Sequence, residues 1–258
     1  GGTGQVQHNV VIGASAMNST GSNAQTGTVA IGSSALTALT DGEGNLAIGY
    51  QSMVQHVDGH RNVAIGYQAM YQNAGSNAAN SNDNIFIGYQ AGAGDWGNSA
   101  ETNINIGIGT YALDAALDGA LYNIAIGKSS LSELTTGDGN VAIGYQAGDA
   151  LTTGIQNTLM GYVAGGALNG SGTGNNVVIG AYAGQACTSV VSAVLIGVEA
   201  GKGVMTDAAE GTVCIGKLAG AAITSGIGNV AVGYQALDAA ATSDYNTAVG
   251  HQSLSAVN

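Results

Sequence analysis

The chain has 258 residues, of which 44 are glycine and none proline, and only 8% are charged. Sixteen Asp and Glu against four Lys and Arg give a net charge of −12, which disfavours nucleic acid and anionic membrane surfaces as partners. Glycine without a G-X-Y period excludes collagen, and 45% hydrophobic content argues against a disordered low-complexity segment, so an ordered, repetitive fold is expected.

Near-identical strings recur along the chain: "NLAIGYQSM" from Asn45, "NVAIGYQAM" from Asn62, "NVAIGYQAG" from Asn140 and "NVAVGYQAL" from Asn229. Taking the central glycine as a marker gives Gly13, Gly32, Gly49, Gly66, Gly88, Gly109, Gly127, Gly144, Gly161, Gly180, Gly197, Gly216, Gly233 and Gly250. The commonest interval is 17 residues, and the widest, 22 and 21, mark insertions near 72–83 and 93–103. Residues 1–258 thus read as one repeat domain with no gap for another.

A unit of 17 residues is too short for two packed helices. Each holds a few β-favouring residues before glycines and polar turn formers such as "TTGDGN", which fits a short strand, a turn, another short extended piece and a loop. One unit is then one coil of an all-β parallel β-solenoid, a β-roll of about fourteen coils, with equivalent strands pairing about 4.8 Å apart.

The columns of the repeat carry further expectations. The residue before the glycine is Ile in eleven copies, and the one two positions earlier is nearly always Val, Ile or Leu. Side chains two apart share a strand face, so this pair is predicted to point into the coil. Three residues after the glycine only Ala or Ser occurs, implying close approach to another backbone. Four residues before it Asn stands in eleven copies, where its amide either builds a hydrogen-bonded ladder or caps its own turn.

The residue between the two predicted inward ones is Val11, Ala30, Ala47, Ala64, Phe86, Gly107, Ala125, Ala142, Leu159, Val178, Leu195, Cys214, Ala231 and Ala248. None is polar. Apolar residues on both faces of a strand imply burial on both sides. With no segment left over to cover the outer face, this column is predicted to be an oligomer interface between copies of the chain, closed by cyclic symmetry.

The string "NVAIG" with Ala or Ser three residues past its glycine resembles the repeat of YadA-like heads of trimeric autotransporter adhesins. The longer unit, such as "LTTGDGNVAIGYQAGDA" from Leu134, is similar to repeats of phage tail-fibre proteins. The resemblance spans essentially the whole chain and implies a homotrimeric, non-enzymatic, extracellular fibre of a virion or cell surface, with no membrane insertion in this segment. The adhesin-head unit is shorter than 17 residues, and no neck, stalk or anchor is recognisable here. A polysaccharide-cleaving tailspike, with acids drawn from distant coils, is the enzymatic alternative.

No catalytic residue, cofactor or metal site is predicted. His56, Asp58 and His60 in "HVDGHR" read as turn residues rather than ligands, as do the acidic "DGEGN" and "GDGN" loops. The candidates for contact with a cell-surface glycan or protein receptor are Tyr50, Tyr67, Tyr89, Tyr145, Tyr162 and Tyr234, followed by a Gln column, and Trp96, the only Trp. A wall covering is the plainer role for the tyrosines.

Overall fold

The computed structural model describes residues 6–19, 25–71, 81–96, 100–169, 174–206, 209–239 and 241–255. Much of the two predicted insertions, residues 72–80 and 97–99, lies outside the described residues. By its internal contacts the chain divides into two compact units, Gly1–Ser129 with Glu133–Thr136 and Ser130–Ser132 with Gly137–Asn258. Both are parallel β-solenoid, and the chain makes about thirteen turns without an α-helix among the described residues.

In the first unit β1 (Val6–Gln7) pairs with β3 (Gln25–Thr26), while the main stack contains β2 (Val10–Ile12), β4 (Val29–Ile31), β5 (Leu46–Ile48), β6 (Val63–Ile65), β7 (Ile85–Ile87), β8 (Ile106–Ile108) and β9 (Ile124–Ile126). In the second, β10 (Val141–Ile143), β11 (Thr158–Met160), β12 (Val177–Ile179), β13 (Val194–Ile196), β14 (Val213–Ile215), β15 (Val230–Val232) and β16 (Thr247–Val249) stack likewise. Pairing is parallel and in register, so each column of the sequence becomes a column in space: Ala47 opposes Ala64, and Leu159 opposes Val178.

Among the described residues, the predicted second extended piece forms only as the β1–β3 pair and an isolated bridge between Ile155 and Gly174. In its place each coil closes through left-handed residues. Around β10 these are Gly139 (φ +67°), Gly144 (φ +139°), Gln146 (φ +50°) and Gly148 (φ +60°). The backbone still finds partners in the neighbouring coil, as Gly161 N–H donates to Ile143 at 2.8 Å and Val163 N–H to Tyr145 at 2.8 Å.

The two faces of the strand are the reverse of the expectation. Ala30, Ala47, Ala64, Phe86, Ala125, Ala142, Leu159, Val178, Leu195, Cys214 and Ala231 are fully buried within a single chain, as is Ala248, and Gly107 is buried with them. They fill the coil and are not an oligomer interface; Val11, in the first coil, is exposed. The flanking Val and Ile residues instead point outward, half-buried against their neighbours above and below. Alternation sends the middle side chain of each three-residue strand to the opposite side from the flanking pair, and here it is the single middle residue, most often Ala, that fills the narrow interior.

Three other positions complete the core. The Ala or Ser column three residues after the glycine is buried except at Ala16 and Ser253 in the end coils, as is the next position where it is Leu36, Met53, Met70, Leu113, Leu131 or Leu237. Opposite lie Leu39, Trp96, Leu117, Leu134, Leu151, Leu168, Cys187, Met205 and Ile223. Volumes compensate between columns. Where the strand centre is Phe86, Leu159, Val178, Leu195 or Cys214, the residue four beyond the repeat glycine is Gly92, Gly165, Gly184, Gly201 or Gly220. A Cβ on Gly92 would lie 2.6 Å from the Phe86 ring, and one on Gly201 2.7 Å from a Leu195 methyl.

Asparagine builds the ladder its column allowed, and its amide reaches across to a loop about a coil further on instead of only capping its own turn. In the first unit Asn62 N–H donates to Asn45 Oδ1 at 2.9 Å, Asn84 N–H to Asn62 Oδ1 at 3.0 Å and Asn105 N–H to Asn84 Oδ1 at 3.0 Å. Each amide nitrogen also crosses to a loop carbonyl, as Asn45 Nδ2 does to Gly59 at 2.7 Å and Asn105 Nδ2 to Ala120 at 2.8 Å. These side chains are buried and tie strand to loop, which is why a polar residue is kept inside.

Glycine is dictated most strongly at the repeat marker. Gly144 has φ +139°, and an added Cβ would collide with the Gly161 carbonyl, whereas Gly139 at φ +67° faces nothing nearer than 3.6 Å. Gly144→Ala is therefore expected to cost about 3 kcal/mol or more, and Gly139→Asn about 1 kcal/mol or less. Denaturant melting of the two variants checks this, and equal losses would contradict it.

Candidate functional site

What the fold leaves on its surface follows from the columns that do not turn inward. On the strand's outer face run two rows of Val, Ile, Leu and Met, broken only by Thr158 and Thr247 and free of charge. Most of these side chains are half-buried, and Ile126, Met160 and Ile215 are exposed. In-register neighbours such as Val29 with Leu46 and Ile31 with Ile48 shield one another along the stack but not from the side.

The residue after the repeat glycine also points out. Tyr50, Tyr67 and Tyr89 stack at 5.2 and 5.3 Å between ring centroids, and Tyr145 and Tyr162 at 5.0 Å. Tyr234 stacks on His251 at 5.2 Å. All six tyrosines are exposed. Beside them Gln68 Nε2 donates to Gln51 Oε1 at 2.9 Å and Gln90 Nε2 to Gln68 Oε1 at 2.8 Å. Tyr111 and Tyr182 join these arrays edge-on to Tyr89 and Tyr162 from the left-handed position one residue further on. A hydrogen bond with Tyr111 holds the Tyr89 hydroxyl above the usual tyrosine range. Tyr111 and Tyr182 follow Thr110 and Ala181, so no tyrosine column in the repeat pointed to them.

Trp96 is a correction. It is buried, with its ring edge-on to Phe86 at 5.6 Å, and it occupies the core column filled elsewhere by leucine. It is therefore unavailable to a receptor. Its Nε1–H finds no acceptor among the described residues.

The "HVDGHR" segment does not converge. His56 turns into the core, Asp58 accepts from Thr40 Oγ1 at 2.6 Å, and His60 Nδ1 accepts from Glu43 N–H at 3.0 Å. Among the described residues no group of three or more His, Cys, Asp or Glu is placed to hold a metal ion. Cys187 and Cys214 are buried free thiols, both pushed up to about 12 by burial, so they act as small apolar groups. No family model, curated protein or solved structure matches the chain.

His56 is the one titratable group of this segment inside the coil. Burial lowers its pKa to about 4, against opposing contributions from the Gly59 backbone and Asp58, and its Nε2 lies 3.2 Å from Asn62 Nδ2. The unfolded chain takes up the proton first. Stability is therefore unaffected above about pH 6.5 and falls as pH drops towards about 4, by about 3 kcal/mol in all. Asp114, pushed up to about 6, works in the opposite direction over part of this window, so the comparison must be between variants. His56→Leu restores the residue type of its column and is expected to flatten the loss between pH 6.5 and 4 relative to the parent chain. Parallel stability profiles for the two proteins would refute this assignment.

Proposed function

We propose that the chain is a structural and adhesive segment of an extracellular or virion fibre, assembled from three copies and without catalytic activity. The observation that carries the reading is the pair of uncharged, outward-facing aliphatic rows on the strands of each unit. Monomeric soluble proteins rarely leave a contiguous apolar strip unpartnered, and a closed cyclic assembly covers it without creating an open edge. The likeness of the repeat to tail-fibre and adhesin-head repeats supports the same reading. The stacked tyrosines with their glutamine neighbours offer flat, amphipathic area for attachment.

Sedimentation equilibrium is expected to give about three times the 25.2 kDa of one chain. Replacing two outward residues two coils apart, Ile65→Lys with Ile108→Lys, is expected to release single chains while lowering stability by only about 1 kcal/mol. A parent chain that stays monomeric at micromolar concentration, or a double variant that keeps the assembled mass, would overturn the reading.

A further inference from the structure

On the first unit, the second and fifth residues after the repeat glycine border a cavity of about 360 Å³, lined by Gln68, Tyr71, Gln90, Ala93 and Asp114. The fifth-residue row reads Tyr71, Ala93, Asp114 in successive coils, so the small Ala93 lies between two larger polar neighbours. That step in side-chain size opens the cavity.

Its polar lining is only partly satisfied from within. The glutamine ladder runs from Gln90 through Gln68 to Gln51, each Nε2 donating to the next Oε1. It stops at Gln90 because the following coil has Tyr111, whose side chain is engaged with Tyr89. Gln90 Oε1 is left as an acceptor without a donor among the described residues. Asp114 is half-buried with no cation against it among the described residues; desolvation pushes its carboxyl up to about 6, and the Glu133 charge adds to the rise.

Two carboxylates in this neighbourhood disfavour an anionic ligand. The amides of Gln68 and Gln90 and the Tyr71 hydroxyl both donate and accept, which complements hydroxyl groups better than an ammonium, which only donates. The volume is at the lower end for small-molecule sites and suits one ring rather than a long chain.

We propose that this cavity binds a single neutral sugar unit, whose hydroxyls donate to Gln90 Oε1 and the Asp114 carboxylate beside the Tyr71 side chain. All five lining residues belong to one chain, so the proposal needs no second copy to supply a contact. A monomeric protein that binds sugar, and an assembled one that does not, are thus distinguishable results.

The test is a saturation-transfer NMR titration of the full chain with methyl glucoside, methyl galactoside and the methyl glycoside of N-acetylglucosamine, with tetramethylammonium as the contrasting probe. At least one glycoside is expected to bind with a Kd of roughly millimolar order. Ala93→Leu, which fills the cavity from a half-buried position on its rim, is expected to weaken binding at least tenfold with the melting temperature retained. Asp114→Asn is expected to abolish the fall in affinity that the parent chain shows as pH drops through about 6. Absence of binding by all three glycosides, binding untouched by Ala93→Leu, or binding of tetramethylammonium alone would each overturn the proposal.

Discussion

The width of the coil's interior constrains everything else in this protein. Seventeen residues must leave a strand, reverse direction and return, so the two walls lie close, and Ala is the commonest residue at the strand centre, in half of the levels. Where a level departs from this, the opposite wall retreats. Phe86 is accommodated by Gly92 and by Gly107 in the next coil, where an added Cβ would lie 2.6 Å from the same ring. Such a core is specified by pairs of positions rather than by hydrophobicity alone, because overpacking is as damaging as a void.

A narrow interior also explains the buried asparagines. With little apolar area per coil, side-chain burial alone does not fix the distance between strand and loop. The amide supplies that spacing by accepting from the next coil and donating across to a loop carbonyl, as Asn140 Nδ2 does to Gly154 at 2.8 Å. The second unit shows how a ladder ends: Ala193 N–H still donates to Asn176 Oδ1 at 2.9 Å, but alanine has no amide to continue it. Thr212, two coils later in the ladder's column than Asn176, keeps only the loop contact, through Oγ1 to Gly226 at 3.3 Å. The column is thus a brace repeated level by level, and the two-level gap at Ala193 and Thr212 is tolerated because the ladder resumes beyond it, where Asn246 N–H donates to Asn229 Oδ1 at 2.9 Å.

The repeat, its period and the parallel solenoid were legible in the sequence because every coil reports the same columns. The facing of the strand was not. Strict alternation puts two residues of three on one side, and the bulkier pair, Val141 and Ile143, was the natural choice for the core; the structure buries Ala142 instead. The signal that settles the facing was present in the co-occurrence of large strand centres with glycine four residues beyond the marker, since only side chains sharing one interior need to trade volume. Trp96 misled for a related reason. A lone aromatic in an insertion reads as a contact residue, yet it stands one position past the usual leucine column, a shift that a 21-residue interval permits. The cavity beside Gln90 was invisible because it depends on which residues of three different coils fall side by side.

Reversing the facing strengthens the case for partners instead of removing it. A column of alanines on the outside would have been a weak seam, small in area and compatible with exposure. The outward residues are in fact the β-branched ones, which present more apolar surface per coil and stack in register with like neighbours. Cross-strand pairing of Val and Ile stabilises the sheet within one chain, so these residues have a reason to be there even without an assembly. What that reason does not explain is the lack of charge in both rows, since Lys or Glu at intervals would preserve the pairing while guarding the face against association. The net charge of −12 is carried elsewhere on the chain, so this face keeps the one surface free of charge that the proposed assembly would cover.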